Sequence, residues 1–150
     1  MAPIRCLFAK GQTEISRYGA YMTLKLDLVG IVVADMAKSL AFYRMLGLEI
    51  DPAADVEAHV EVVLGGHMRL GWDTVETIRS FDPSWVPPVG GHRIALAFDC
   101  ETASEVDSTY AAVIASGHRG HLEPWDAFWG QRYAVVIDPD GNHVELFAAT

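Results

Sequence analysis

The 150-residue chain predicts an α+β fold in which one unit, a strand and a helix followed by two or three further strands, is used twice. Three observations carry this expectation. A strand-then-helix pattern opens at Met22 and returns at Arg93; a Pro- and Gly-rich stretch separates the two; and GGHMRLG, residues 65 to 71, returns near the end as GNHVELF, residues 141 to 147. Self-similarity on this scale means that neither half buries its apolar face alone, so two sheets pair or curl around a shared cavity, and the function belongs between them.

Residues 1–21 are mixed in character and read as an N-terminal extension. The first unit, 22–78, begins with Leu24, Leu26 and Leu28 alternating with Lys25 and Asp27 before the run Val29 to Val33, the pattern of a strand that becomes fully buried. Asp35 is placed to cap a helix over MAKSLAFYRML, and Gly47 to stop it. Short strands follow, with Gly65-Gly66 as a hairpin turn. The stretch after Asp73, rich in Pro and Gly and holding Trp85, reads as irregular, with 79–91 as the linker.

The second unit, 92–150, restarts with the strand RIALAFDC. Thr102 to Glu105 has the Thr-x-x-Glu form of a capping box, Val106, Tyr110, Val113 and Ile114 lie at helical spacing, and Gly117 ends the helix. HRGHLEPWDAFWGQ reads as a polar and aromatic loop, RYAVVI as a strand, DPDGN as a turn and HVELFA as the last strand.

Composition narrows the function. A hydrophobic content of 51% suffices for a core, and no apolar run approaches the roughly 20 residues that cross a bilayer. The N-terminus lacks the apolar centre of a signal peptide, so a soluble, cytoplasmic protein with no membrane partner is expected. Cys6 and Cys100 form no disulfide framework and no Cys-x-x-Cys pair, in keeping with a reducing compartment, and Cys100 reads as a core thiol. A formal charge of −9 argues against nucleic acid, whose affinity rests on Lys and Arg against phosphate. A neutral or cationic small molecule is the easier partner.

LDLVGIVVADMAKSLAFYRMLGLEI resembles the opening strand and helix of the vicinal oxygen chelate superfamily, the glyoxalases, ring-cleaving dioxygenases and bleomycin-resistance proteins, and WGQRYAVVIDPDGNHVELFA resembles its closing hairpin. The resemblance spans residues 22 to 149. It implies two βαβββ modules whose curved mixed sheets enclose a cleft, and often a homodimer. In the family's enzymes four side chains, from the first and last strand of each module, bind a divalent metal. Carried over residue by residue, those positions fall on Leu28, Arg69, Arg93 and Glu145, with His92 beside Arg93 but turned to the other sheet face. Leucine has no donor, a guanidinium is always a cation, and only Glu145 is a ligand type. No metal and no cofactor are therefore expected, and the resemblance implies the bleomycin-resistance branch, which binds an antibiotic without transforming it. Glu145 is expected to pair with Arg69 or Arg93 in the old metal position.

Aromatic residues complete the expected site: Trp125, Phe128 and Trp129 crowd one segment, Trp85 lies in the linker and Trp72 follows Arg69's strand, all placed to stack a flat ligand. The binding set is thus Arg69, Trp72, Trp85, Arg93, Trp125, Phe128, Trp129 and Glu145, and the function is sequestration of a planar, antibiotic-like aromatic. No serine sits in a nucleophile elbow and no Gly-rich loop matches a nucleotide site, so no catalytic residue is assigned. The other reading is a superfamily lyase or oxygenase in which Glu145 is joined by His92 or His118. His67 and His143 follow hairpin turns and are expected to be exposed, and HRGH, His118 to His121, has loose ligand spacing without a helix to organise it.

Overall fold

The computed structural model describes residues 26–90 and 93–150; the N-terminal extension, Cys6 and His92 lie outside them. The chain runs β1 (Leu28–Val33), α1 (Met36–Met45), β2 (His59–Val63), β3 (Arg69–Thr74), α2 (Val75–Phe81), β4 (Ala95–Asp99), α3 (Ala103–Ala115), β5 (Arg119–Ala127), β6 (Gln131–Ile137) and β7 (His143–Ala149). Two mixed sheets result, ordered β1-β3-β2 and β4-β7-β6-β5. In each, the first strand lies parallel to the last, β1 on β3 and β4 on β7. The second half follows the βαβββ plan in full, and the first shows three of its four strands around α1, an arrangement consistent with two such modules. In the first, a 3-10 turn over Pro52–Val56 occupies part of the segment between α1 and β2.

The caps form as the sequence requires. Asp35 accepts from the Lys38 N–H at 3.0 Å, and the Thr102–Glu105 capping box is complete. Gly47 closes α1 at φ +90°, where a Cβ would be strained. The DPDGN turn is organised by Asp138, 1% exposed, whose side chain accepts from the N–H groups of Asp140 and Asn142 and from Asn142 Nδ2.

Two segments differ from the sequence reading. Val75–Phe81, read as irregular, is helix α2, because Thr74 caps it through the Thr77 N–H and Glu76 sits in its first turn. Arg119–Ala127, read as a loop, is strand β5. Pro124 and Gly120 hide it from pattern reading, and its pairing with β6 is interrupted between Gly120 and Leu122 and again between Leu122 and Trp125. At the sheet's edge both residues are tolerated, since an edge strand needs only one side of its ladder.

One core serves both halves. Val33, Leu40, Phe42, Tyr43 and Trp72 of the first join Val106, Val113, Val136, Val144 and Leu146 of the second, all fully buried. Helix α1 provides the stitch: Tyr43 packs edge-on to Trp72 and against Phe98, and its hydroxyl donates to Asp138 Oδ2 at 2.9 Å. Asp140 adds a second, accepting from the Ala34 N–H at 2.8 Å and Ser39 Oγ at 3.1 Å. Cys100 is partly buried and packed against this core, and burial pushes its thiol pKa up, as suits an inert thiol. Among the described residues no helix is long and apolar enough to cross a membrane.

Candidate functional site

The period of two along a strand sorts side chains between the helices and the open face. In β3, Leu70 and Trp72 go to the core and Arg69 and Asp73 to the open face; in β7, Val144, Leu146 and Ala148 go to the core and His143, Glu145 and Phe147 are left on the other side. Register then fixes what can meet. Leu28 stands beside Arg69, as the repeat requires, whereas the β4 neighbour of Glu145 is Ala97, and that of His143 is Ala95. Arg93 precedes β4 and is exposed, so the strand position read from sequence is displaced along the chain.

The expected pairing of Glu145 with an arginine gives way to two local networks. Arg69 bonds Asp27 and Glu61, and Glu61 also meets His59 Nε2 at 3.1 Å, while His59 Nδ1 lies 2.8 Å from Asp73. The Asp73 hydrogen bond, with Glu61 adding to it, raises the His59 pKa. Asp27 and Glu61 lie close in space and in strand pairing, and they satisfy the guanidinium before any group on the second sheet can.

Glu145 instead accepts from the Tyr133 hydroxyl at 2.5 Å. Burial, then the carboxylate, holds the Tyr133 pKa well above its ordinary value, so the phenol stays a donor. Around this pair the second sheet builds an aromatic wall. Trp125, Tyr133 and Phe147 occupy one row across β5, β6 and β7. Trp125 and Trp129 meet Tyr133 edge-on at 5.2 and 5.4 Å, and Phe128 meets Trp129 at 4.8 Å. Trp129 is held by its indole N–H donating to Gln131 at 2.8 Å, yet it is 45% exposed, and Phe128 is 79% exposed. An ordered, half-exposed aromatic wall with a carboxylate at its foot can stack a flat ring and hold a donor or cation beside it.

The structure therefore brings together Trp125, Phe128, Trp129 and Glu145 and leaves the other four apart. Trp72 is corrected to core: it is 0% exposed and unable to touch a ligand without opening the interior. Trp85 lines a separate cavity of about 440 Å³ between the halves, bounded by β1, Pro87, Pro88, Ile94, Leu96, Asp140 and His143, and Arg79 already lies 5.7 Å from its ring centre. Arg69 belongs to the first sheet's charged network, and Arg93 is at a strand's approach. Tyr133 was missed by sequence reading. Its only signal was its place in a strand, two residues beyond Gln131; its partner twelve residues later appears only in the folded sheet.

A match to the glyoxalase/bleomycin resistance protein/dioxygenase superfamily runs over residues 25–146. The chain belongs to this superfamily. Its fold is similar to that of a family enzyme from Burkholderia phytofirmans PsJN, with 21% identity, TM-score 0.73, and coverage of 85% of this chain and 100% of that one. It is also similar to a hypothetical protein from S. aureus, with 18% identity, TM-score 0.69, and coverage of 87% and 96%. A glyoxalase-related enzyme from Fulvimarina pelagi matches with 18% identity, TM-score 0.67, and coverage of 83% and 87%. No curated protein matches the chain.

Membership raises the question of the family's metal, and the donor chemistry at its four positions answers it. Leu28 and the β4 alanines have no donor, Arg69 is a cation held by two carboxylates, and Glu145 is engaged by Tyr133. Zn²⁺ and Mg²⁺ require several nitrogen or oxygen donors, so these residues do not fit such an ion.

Proposed function

We propose that this superfamily member binds a planar aromatic small molecule, antibiotic-like and neutral or cationic, without using a metal at the family's four positions. The observation that carries the reading is the wall of Trp125, Phe128 and Trp129 around the Tyr133–Glu145 pair. A ring laid on Trp129 gains roughly 0.5–1.5 kcal/mol beyond its buried area, and a cationic or hydroxyl group of the ligand gains a bond to Glu145. The net charge of −9 favours a cation further. On this reading the chain acts in the manner of the family's bleomycin-resistance-like members, by stoichiometric capture, for which a Kd near 1 nM requires about −12 kcal/mol. A homodimer, in which a second copy closes the open face, suits this reading because one sheet alone cannot enclose a ligand.

The test is tryptophan quenching against a panel of planar natural products, with and without EDTA. Binding that persists in EDTA and weakens at least tenfold in Trp129→Ala supports sequestration; binding that vanishes with EDTA rejects it.

One observation favours catalysis as a second reading. The Tyr133 hydroxyl donates to Glu145 at 2.5 Å beside a stacking surface, the arrangement of a carboxylate base with a phenol partner. A lyase or other specialised-metabolite enzyme would use Glu145 as base. His118 does not join it, since its ring packs edge-on against Phe42 of α1 at 5.0 Å, on the helix side. Mass spectrometry of bound ligand after incubation separates capture from turnover.

A further inference from the structure

The register break in β5 has a chemical result. Gly120 pairs with Val136 and Leu122 with Val135, leaving His121 as the extra residue of a bulge. Bulges re-aim side chains, and this one carries the His121 ring to within 4.4 Å, centre to centre, of His143 at the start of β7, with a tilt of 46°. One strand separates them in sheet order, and that strand, β6, contributes Ile137, the register partner of His143. Two imidazoles brought together across an intervening strand, on a protein of net charge −9, form an arrangement that a cation would stabilise.

We propose that His121 and His143 form a two-histidine site for a borderline divalent ion of the Cu²⁺ or Ni²⁺ class. Imidazole nitrogen suits that class. With metal–nitrogen bonds of about 2.05 Å, two imidazoles in adjacent positions at 90° have ring centres about 4.5 Å apart. The two rings lie 4.4 Å apart, so the backbone already holds them at a spacing one ion can bridge. His143 also lines the 440 Å³ cavity between the halves, with Asp140 and Asn142, so water or a chelating ligand has room in the remaining positions. His143 lies two residues before Glu145 along β7 and His121 lies on β5, so neither is one of the four positions where the family holds its metal. Ion binding and aromatic capture therefore stand or fall separately.

The experiment uses the full chain without an affinity tag, titrated with Ni²⁺ and Cu²⁺ by calorimetry, with electron paramagnetic resonance of the Cu²⁺ form. One ion per chain in the micromolar range is expected, with nitrogen coordination by two imidazoles. Affinity should fall at least tenfold in both His121→Gln and His143→Gln and be unchanged in His67→Ala, a turn position. It should also fall on acidification, because protons compete with the ion for the imidazole nitrogens. Absence of saturable binding, loss in only one of the two glutamine variants, or loss in His67→Ala overturns the site. Circular dichroism of each variant shows that the fold is retained, and quenching by an aromatic ligand in the same variants reads the other site independently.

Discussion

Tyr43→Phe isolates one of the hydrogen bonds that join the halves. The hydroxyl donates at 2.9 Å to Asp138, with Tyr43 0% and Asp138 1% exposed, so water cannot replace the lost partner. Phenylalanine keeps the ring and its contacts with Phe42, Trp72 and Phe98, so no cavity term enters. A hydrogen bond to a charged group contributes about 1.5–3 kcal/mol. Asp138 retains two backbone N–H donors and Asn142, which places the loss at the low end, about 1.5–2 kcal/mol. For a chain of this size that corresponds to a fall in Tm of roughly 3–8 °C. Urea unfolding followed by tryptophan fluorescence, with the m-value compared to wild type, measures it. A loss under about 0.5 kcal/mol at unchanged m refutes the reasoning, because the buried hydroxyl would then contribute no more than an exposed one.

Other outcomes follow from the same geometry. Trp72 buries its indole N–H with no partner among the described residues, so Trp72→Phe, which removes that orphan donor, should cost no more than about 1–2 kcal/mol while Trp72→Ala costs about 3–5; thermal unfolding of both compares them. Gly120→Ala would drive a Cβ into the Tyr110 hydroxyl and within 2.9 Å of its ring carbon, so a loss of about 1–3 kcal/mol is expected in urea, relieved in a Tyr110→Ala background. Thr102→Ala removes the capping box of α3 and should lower stability by about 1 kcal/mol in the same assay. His59 has its folded pKa raised, chiefly by Asp73. Its pairing therefore stabilises fully below the unfolded value near 6.5 and loses that contribution as pH rises through the folded value. The stability difference between wild type and Asp73→Asn should be larger at pH 6 than at pH 9.

Local chemistry made much of the fold legible. Asp35 and the Thr102–Glu105 box cap helices wherever they precede an apolar run, because the free N–H groups of a first turn need an acceptor nearby in sequence. The GGHMRLG and GNHVELF repeat placed Arg69 and Glu145 on equivalent last strands, since a hairpin turn and a period of two fix which way each side chain points. The segment 119–127 was not legible: an edge strand with two register breaks has neither alternation nor a full ladder to leave a pattern.

The sequence by itself determined the two-fold plan, the caps, the turns and the unsuitability of Leu28 and Arg69 as metal ligands, all of which depend on residue type and on neighbours a few positions away. Tertiary structure alone decided partners. Arg69 took Asp27 and Glu61, Glu145 took Tyr133, Trp72 went inside, and a bulge set His121 beside His143. Short-range electrostatics and packing act over a few ångströms in space, and which side chains come that close is fixed by strand register across the sheets.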